Sequence, residues 1–330
     1  MVDSSNCNRV LLIAPRFFGY EHEIVAELKR QRMQVDMLPD RPFDSPIMKA
    51  LMRFRPELGG HQAADRYFVD RVLAFGSEHY SIILVIQGEG VTARTLVFLR
   101  SKYPRARMIF YTWDSVGNKP FTKRNLSHYD RCSTFDSVDA EKYGMEFRPL
   151  FFSPGFDRLE NTDYTYDLSF IGTAHSDRYR VIQALAKQLP QDTKSFIYLY
   201  LQAPWMYDLR SIFTRTLAGS KRNEFRFEPL SKDVVQAIFF GSRAVVDIEH
   251  PSQRGATMRT FETLGSRRKM ITTNASLRNY DFYNSQNILI IDRSNPVLDR
   301  DFLKTPYVHI PEKIRSRYSL RQWVREVCDL

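Results

Sequence analysis

Between Asp247 and Arg268 the chain reads DIEHPSQRGATMRTFETLGSRR, its densest concentration of groups suited to an anion. A β-branched run ends there, a loop with Pro251 and Gly255 follows, and the apolar spacing predicts a helix over Ala256–Gly265. The first N–H groups of a helix lack partners and its dipole is positive at that end, so it holds a phosphate well. Gly255 would let the backbone approach an oxyanion, and Thr257 would add a hydroxyl in the first turn. On a 3.6-residue wheel Met258, Phe261 and Leu264 form a buried stripe, while Arg259, Glu262 and Thr263 share another face. An arginine brings forked donors to diphosphate oxygens, and a carboxylate one turn on can accept two ribose hydroxyls. The plainer reading is a surface helix with an i,i+3 pair between Arg259 and Glu262, worth a few tenths of a kcal/mol. The loop's length and its place after a strand favour binding.

The first half carries acids at the ends of apolar runs. Asp114 follows Arg107–Thr112 beside Trp113, Glu89 sits between Gly88 and Gly90, and Glu21 adjoins His22. Each is a candidate general base able to take a hydroxyl proton. The competing roles are a cap for Asp114 and a solvated turn for Glu89. Phe18, Tyr20 and Trp113 supply rings that a sugar can pack against, although Phe17-Phe18 after a strand also suits a core. In the second half Gly172-Thr173 closes an apolar run, and His175 and His250 fall at run ends; lone histidines are more often structural. Asp299-Arg300-Asp301 has the D-x-D spacing of some metal sites, yet beside Pro296 it reads as a helix start. The seven histidines show neither H-E-x-x-H nor H-x₃₋₅-H spacing, so no metal site is expected. There is no G-x-S-x-G elbow, no G-x-x-x-x-G-K-[ST], and no G-x-G-x-x-G after the first strand, which disfavours nucleophilic-serine, P-loop and dinucleotide chemistry.

Elements must place these groups, and apolar runs alternate with helical spacing along the chain. Strands are predicted at Arg9–Ala14, Val35–Leu38, Ser81–Ile86, Arg107–Thr112, Arg131–Phe135 and Glu146–Leu150. Helices fall between them at Glu21–Arg32, Gln62–Phe75, Thr92–Lys102 and Val138–Tyr143, and a polar loop at Pro39–Pro46. A polar stretch, Phe151–Thr165, reads as a linker and hinge. The pattern then restarts with strands at Tyr166–Ile171, Phe196–Leu201, Phe225–Phe227, Ala244–Ile248, Met270–Thr273 and Ile288–Ile291. Its helices are Asp177–Leu189, Met206–Leu217 and Lys232–Phe240, the last capped by Ser231. A closing helix spans Leu320–Val327. Such alternation implies parallel sheets covered on both faces, with ligands at the C-terminal strand ends. The expected fold class is α/β, two Rossmann-like βαβ domains facing a central cleft. Residues 1–155 form the first domain and 156–315 the second. Residues 316–330 form a C-terminal helix that crosses back to the first.

The stretch QRGATMRTFETLGSRRKMITTN resembles the donor-binding segment of two-domain, GT-B-type glycosyltransferases. VLLIAPRFFGYEHEIVAEL, WDSVGN, FDSVDAEKYG, RPLFF, YDLSFIGT, YDFYN and NILIIDR are similar to bacterial glycosyltransferases of capsule, exopolysaccharide and lipopolysaccharide-core assembly. These include the CgeB-like group and rhamnosyltransferase-like enzymes of the core. The resemblance covers nearly the whole chain. It implies transfer of a sugar from a UDP-, GDP- or dTDP-linked donor, held by the second domain, to a glycan or lipid-linked glycan acceptor on the first. It implies ribose binding by Glu262, a phosphate loop at Gly255 and Thr257, and diphosphate counter-charges at Arg254 and Arg259. It also brings Gly172, Thr173, His250 and Thr263 to the donor. Many retaining members carry a second glutamate separated from the ribose one by seven or eight intervening residues; Arg254 and Gln253 stand there, which favours inversion. No cofactor is implied beyond the substrate nucleotide. A sugar-nucleotide epimerase of the same plan is the alternative.

Composition sets the outer bounds. The 330 residues are 43% hydrophobic and 26% charged, globular values, and suffice for two domains. No apolar run approaches the roughly 18 residues of a membrane span. Met1–Asn8 lacks a basic n-region, and Cys7, Cys132 and Cys328 are too scattered for a disulfide framework or zinc spacing, so a cytoplasmic, reducing setting is expected. The net charge is +10, with 23 Lys and Arg against 20 Asp and Glu in residues 1–160 and 25 against 18 in residues 161–330. An anionic partner in the second half is implied. Basic residues interleaved with acids, and short runs such as Lys119–Arg124 and Arg315–Arg321, argue against nucleic acid. They suit peripheral contact with the anionic inner face of the cytoplasmic membrane.

Overall fold

The computed structural model describes residues 8–41, 60–118, 120–158 and 163–330. The chain divides into two compact units, one of residues Met1–Pro149 with Leu320–Leu330, the other of Leu150–Ser319. Most of the loop expected at Pro39–Pro46 and the middle of the expected linker lie outside the described residues.

The first unit is a parallel six-stranded sheet in the order β2-β1-β3-β4-β5-β6. Its strands are β1 (Arg9–Ala14), β2 (Gln34–Pro39), β3 (Ile82–Ile86), β4 (Arg107–Thr112), β5 (Arg131–Thr134) and β6 (Glu146–Phe147). Every residue of β3 is buried, as a parallel strand covered on both faces requires. Leu11, Ile13, Ile83, Val85 and Met108 meet Phe68, Leu96 and Leu99 of the helices Gly60–Ala74 and Ala93–Lys102 in one core. Thr92 caps the second of these, its hydroxyl accepting from Thr95 N–H at 3.2 Å. The edge strand β6 is shorter than expected because Pro149 has no N–H to continue the ladder.

The helix Leu320–Cys328 completes this unit. Trp323 is fully buried, its ring edge-on to Tyr111 at 4.8 Å between centroids. Arg148 pairs with Glu326 at 2.6 Å and Arg107 with Asp329 at 2.7 Å. Gln31 donates to the Arg321 carbonyl at 3.2 Å, a bond across 290 positions of sequence.

The second unit has the order β12-β11-β10-β7-β8-β9, again parallel. Its strands are β7 (Tyr166–Thr173), β8 (Ser195–Tyr200), β9 (Phe225–Arg226), β10 (Ser242–Asp247), β11 (Lys269–Thr272) and β12 (Ile288–Ile290). Leu168, Phe170, Val246 and Ile271 build its core with Val181, Ile182 and Leu185 of the helix Arg178–Ala186. Three expectations need correction. Gly172 and Thr173 are strand residues, paired with Leu199 and Tyr200, and not yet loop. The helix Pro204–Phe213 starts two residues earlier than its apolar spacing suggested, because Pro204 at the first position is pre-set for helix. The start of the supposed polar linker is core, with Phe151, Phe152 and Phe156 at most 1% exposed. Phe152 lies where a Cβ on Gly265 would come within 2.6 Å of it, so that glycine makes room for the ring.

Candidate functional site

In the second unit the chain runs outward from β7 through β8 to β9 and then returns to place β10 beside β7. Loops leaving β7 and β10 therefore diverge, and the crevice between them is the place where parallel sheets take ligands. His175 and Ser176 follow β7, and Glu249 to Thr257 follow β10. Ser176 is held in the left-handed region at φ 52°, an uncommon conformation for a residue with a side chain.

Arg178 clasps the two loops together. Its Nε donates to the Ile248 carbonyl at 2.7 Å and its Nη1 to the Thr173 carbonyl at 3.2 Å. It is 9% exposed, and the hydrogen bonds it makes go to carbonyls and to no carboxylate. Burial, with Arg259 the largest neighbouring charge, lowers its pKa to about 10. Gly172 leaves room for the Phe170 ring, since a Cβ there would stand 2.9 Å from Phe170 Cζ; the Arg178 guanidinium would lie at 3.4 Å, an ordinary contact. Arg210 reaches the same place from the helix Pro204–Phe213, its Nη1 donating to the Ala174 carbonyl at 2.7 Å.

Across the crevice, Asp247 ends β10 and is 1% exposed. Its Oδ2 accepts from the hydroxyls of Thr257 at 2.7 Å and Thr260 at 2.6 Å. Its Oδ1 stands 3.9 Å from Arg259 Nη1 and accepts no hydrogen bond. Arg259 Nε is likewise buried without a hydrogen-bond partner. Arg293, by contrast, is matched by Asp177 and Glu249, each at 2.6 Å. The crevice thus collects Arg178, Arg210 and Arg259 near Asp247, which is already shared with two hydroxyls, and Glu249, which Arg293 engages. A cradle of this kind is short of negative charge and built to receive it.

His175 records the same field. Burial first, and then Arg178, His250, Arg210 and Arg259, lower its pKa to about 3, so it is neutral at physiological pH. The Ser176 hydroxyl donates to the His175 carbonyl at 2.7 Å and faces Nδ1 at 3.1 Å, which assigns the ring proton to Nδ1 and leaves Nε2 an acceptor.

The expected donor residues fall into place unevenly. Thr257 is the helix cap, accepting from Thr260 N–H at 3.3 Å, so its hydroxyl serves the helix Met258–Gly265 and Asp247. Thr263 is fully buried and donates to the Arg259 carbonyl at 2.7 Å, which takes it away from a ligand surface. Glu262 is 7% exposed and Met258 half-buried, so the predicted wheel is wrong in detail: the C-terminal turns of this helix are buried on all sides. Gly255 is not among the glycines with positive φ, and its carbonyl accepts from Asn274 at 3.4 Å. Arg254 is exposed, and its carbonyl accepts from Ser276 at 2.8 Å. His250 is exposed, with Nδ1 2.7 Å from the Ser252 hydroxyl. Arg178 and Arg210 escaped the sequence reading. The available signal was Gly172, six residues before Arg178 near the end of β7.

The first unit has its own divergence, between β1 and β3. Phe18 (φ 51°) and Gly19 (φ 76°) turn the chain after β1, as Gln87 and Gly88, both at 64°, do after β3. Glu21 is 4% exposed and accepts from Phe17 N–H at 3.1 Å, so it fixes the turn. Glu89 is no free solvated turn; its carboxylate meets the Arg41 guanidinium. Asp114 accepts from Ser115 N–H at 2.9 Å, a bond within the turn that follows β4. Phe17 and Trp113 lie 6.1 Å apart and Phe17 and Phe18 4.7 Å, while Tyr20 is buried beneath. Phe18 is 68% exposed and is not core. Asp299 caps the helix Arg300–Lys304, accepting from Asp301 N–H at 2.9 Å, so the D-x-D is a helix start. Among the described residues no three His, Cys, Asp or Glu side chains cluster as metal ligands would.

No protein-family model and no curated protein matches the sequence. Solved structures do match the fold. Anabaena Alr3699/HepE in complex with UDP and glucose aligns with TM-score 0.59 and 12% identity over 98% of each chain. A glycosyltransferase from Rickettsia africae gives 0.59 and 12% over 98% of this chain and 97% of its own. A UDP-N-acetylglucosamine 2-epimerase gives 0.52 and 10%, covering 98% and 94%. The fold is therefore the α/β GT-B type, two Rossmann-like units each built on a parallel sheet.

Proposed function

We propose that the chain is a glycosyltransferase that moves a sugar from a nucleotide-sugar donor to a hydroxyl of a bacterial surface glycan, in lipopolysaccharide core, capsule or exopolysaccharide. The observation that carries this reading is Arg178, a buried cation held only by carbonyls where β7 and β10 diverge. The diphosphate of the donor supplies the missing charge, with Arg259 and Arg210 beside it and Glu262 assigned to the ribose. The reaction is inversion without a metal: the acceptor oxygen attacks the anomeric carbon, the bond to the diphosphate breaks, and a carboxylate takes the hydroxyl proton. Asp114, Glu89 and Glu21 are the candidates for that base, and Phe18, Tyr20 and Trp113 for acceptor packing. An epimerase is the second reading, favoured by the likeness to the solved 2-epimerase.

Thermal stability against a panel of nucleotides and sugar nucleotides tests the reading. A ligand at a hundredfold its dissociation constant stabilises the folded state by about 2.7 kcal/mol. One nucleoside diphosphate should raise the midpoint of the wild type, and Glu262→Ala and Arg178→Met should abolish that rise. No shift with any nucleotide at saturating concentration overturns it. Release of nucleoside diphosphate only in the presence of a glycan acceptor separates transfer from epimerisation.

A further inference from the structure

The helix Pro204–Phe213 turns its most apolar side to solvent. Trp205 is 63% exposed, Leu209 48%, Ile212 75% and Phe213 75%. At 3.6 residues per turn these four fall within an arc of about 100°. The helix has no buried residue, although its inner side is anchored by polar groups: Tyr207 donates to the Ser220 carbonyl at 2.9 Å and Arg210 to Ala174. Single apolar residues on a surface need no explanation, but two aromatics and two aliphatics on one stripe do. Among the described residues no other helix exposes more than one large apolar side chain.

Cations border this stripe. Arg222 reaches Asp208 of the helix at 3.8 Å and, with Lys221 beside it, is exposed. Residues 204–226 hold five Lys and Arg against two Asp and Glu. Pairing with a second copy would set these cations against their own images, because a twofold interface brings like patches together. An anionic bilayer surface matches both features: tryptophan and phenylalanine suit the headgroup boundary, and lysine and arginine suit the phosphates. We propose that the helix Pro204–Phe213 docks the second unit on anionic lipid, with Trp205, Leu209, Ile212 and Phe213 in the headgroup region and Lys221 and Arg222 on its phosphates. The proposal does not depend on the donor chemistry.

The test is co-sedimentation of the full chain with vesicles of phosphatidylcholine, with and without phosphatidylglycerol. Binding should require the anionic lipid, weaken with salt, and fall roughly tenfold or more in an Ile212→Ser, Phe213→Ser double variant. The substituted positions are exposed, so circular dichroism should remain that of the wild type. Brominated lipid should quench the fluorescence of the wild type and not that of Trp205→Phe. Equal sedimentation of the wild type and the double variant overturns the proposal, as does no binding to anionic vesicles. So does a concentration-dependent dimer that the double variant abolishes, which would make the stripe a self-association surface.

Discussion

His175 and His250 stand with their ring centroids 5.5 Å apart, one leaving β7 and the other following β10. Their tautomers are complementary. Ser252 N–H donates to His250 Nδ1 at 3.3 Å, which puts the His250 proton on Nε2, whereas His175 carries its proton on Nδ1. The pair offers one donor and one acceptor to whatever occupies the crevice.

Acid should expose this arrangement. The folded pKa of His175 is about 3, against about 6.5 in an unfolded chain. Between these values the unfolded state binds more protons, so stability is lost as pH falls from about 6.5 towards 3. His175→Gln should flatten that part of the profile, measured as unfolding midpoint against pH. A steeper profile in the variant would contradict the assignment.

Asp247 ties the helix Met258–Gly265 to the end of β10. Asp247→Ala removes the acceptor of two threonine hydroxyls and a carboxylate beside Arg259. Charge-assisted bonds of this kind are worth about 1.5–3 kcal/mol each, so urea unfolding of the variant should show a loss of roughly 3 kcal/mol or more.

Gly172→Ala should act on stability through the Phe170 ring. The new methyl would stand 2.9 Å from Phe170 Cζ and force that ring to shift. Overpacking of this sort costs about 1–3 kcal/mol. Scanning calorimetry should show the lower unfolding midpoint, and an unchanged midpoint would contradict the tight fit.

Lys269 gives an alkaline counterpart. It is 1% exposed, and its ammonium donates to the carbonyls of Phe302 and Thr305, closing the helix Arg300–Lys304. Burial lowers its pKa to about 8, against about 10.4 when unfolded. Stability should therefore rise as pH climbs from about 8 to about 10.4. Lys269→Met should remove that rise in the same midpoint measurement.

Trp323→Ala should cost the first unit about 3–5 kcal/mol, the usual penalty for emptying a buried aromatic site. Denaturant unfolding followed by near-ultraviolet circular dichroism would register both the lost stability and the lost Tyr111 contact.

Much of the fold was legible because the strands are short, apolar and β-branched. Arg9–Ala14 and Arg107–Thr112 fall where the pattern puts them. Ser231 caps Lys232–Phe240 as its type suggests. Proline and burial caused the misses. Pro149 shortens β6, and the polar stretch Phe151–Thr165 reads as a linker because its proline, glycine and acids outweigh the phenylalanines that the fold buries at its start. The crevice was half legible. Thr257, Arg259 and Glu262 adjoin one another in sequence, so a single helix reveals them. Arg178 and Arg210 come from two other helices, and only the sheet order brings them to β10. No spacing within one segment encodes that meeting.

The assignment of Leu320–Leu330 to the first unit bears on how the chain is made. Synthesis proceeds from the N-terminus, and domains fold as they emerge. The second unit is whole before the first has received its last piece. Until residue 323 arrives, Tyr111 and the strands around it lack the ring that covers them. The partners that join this piece to the rest of the unit stand 222 and 290 positions apart in sequence, separations that slow folding. A nascent chain stalled before residue 320 would carry a complete second sheet while the first still lacked its covering helix.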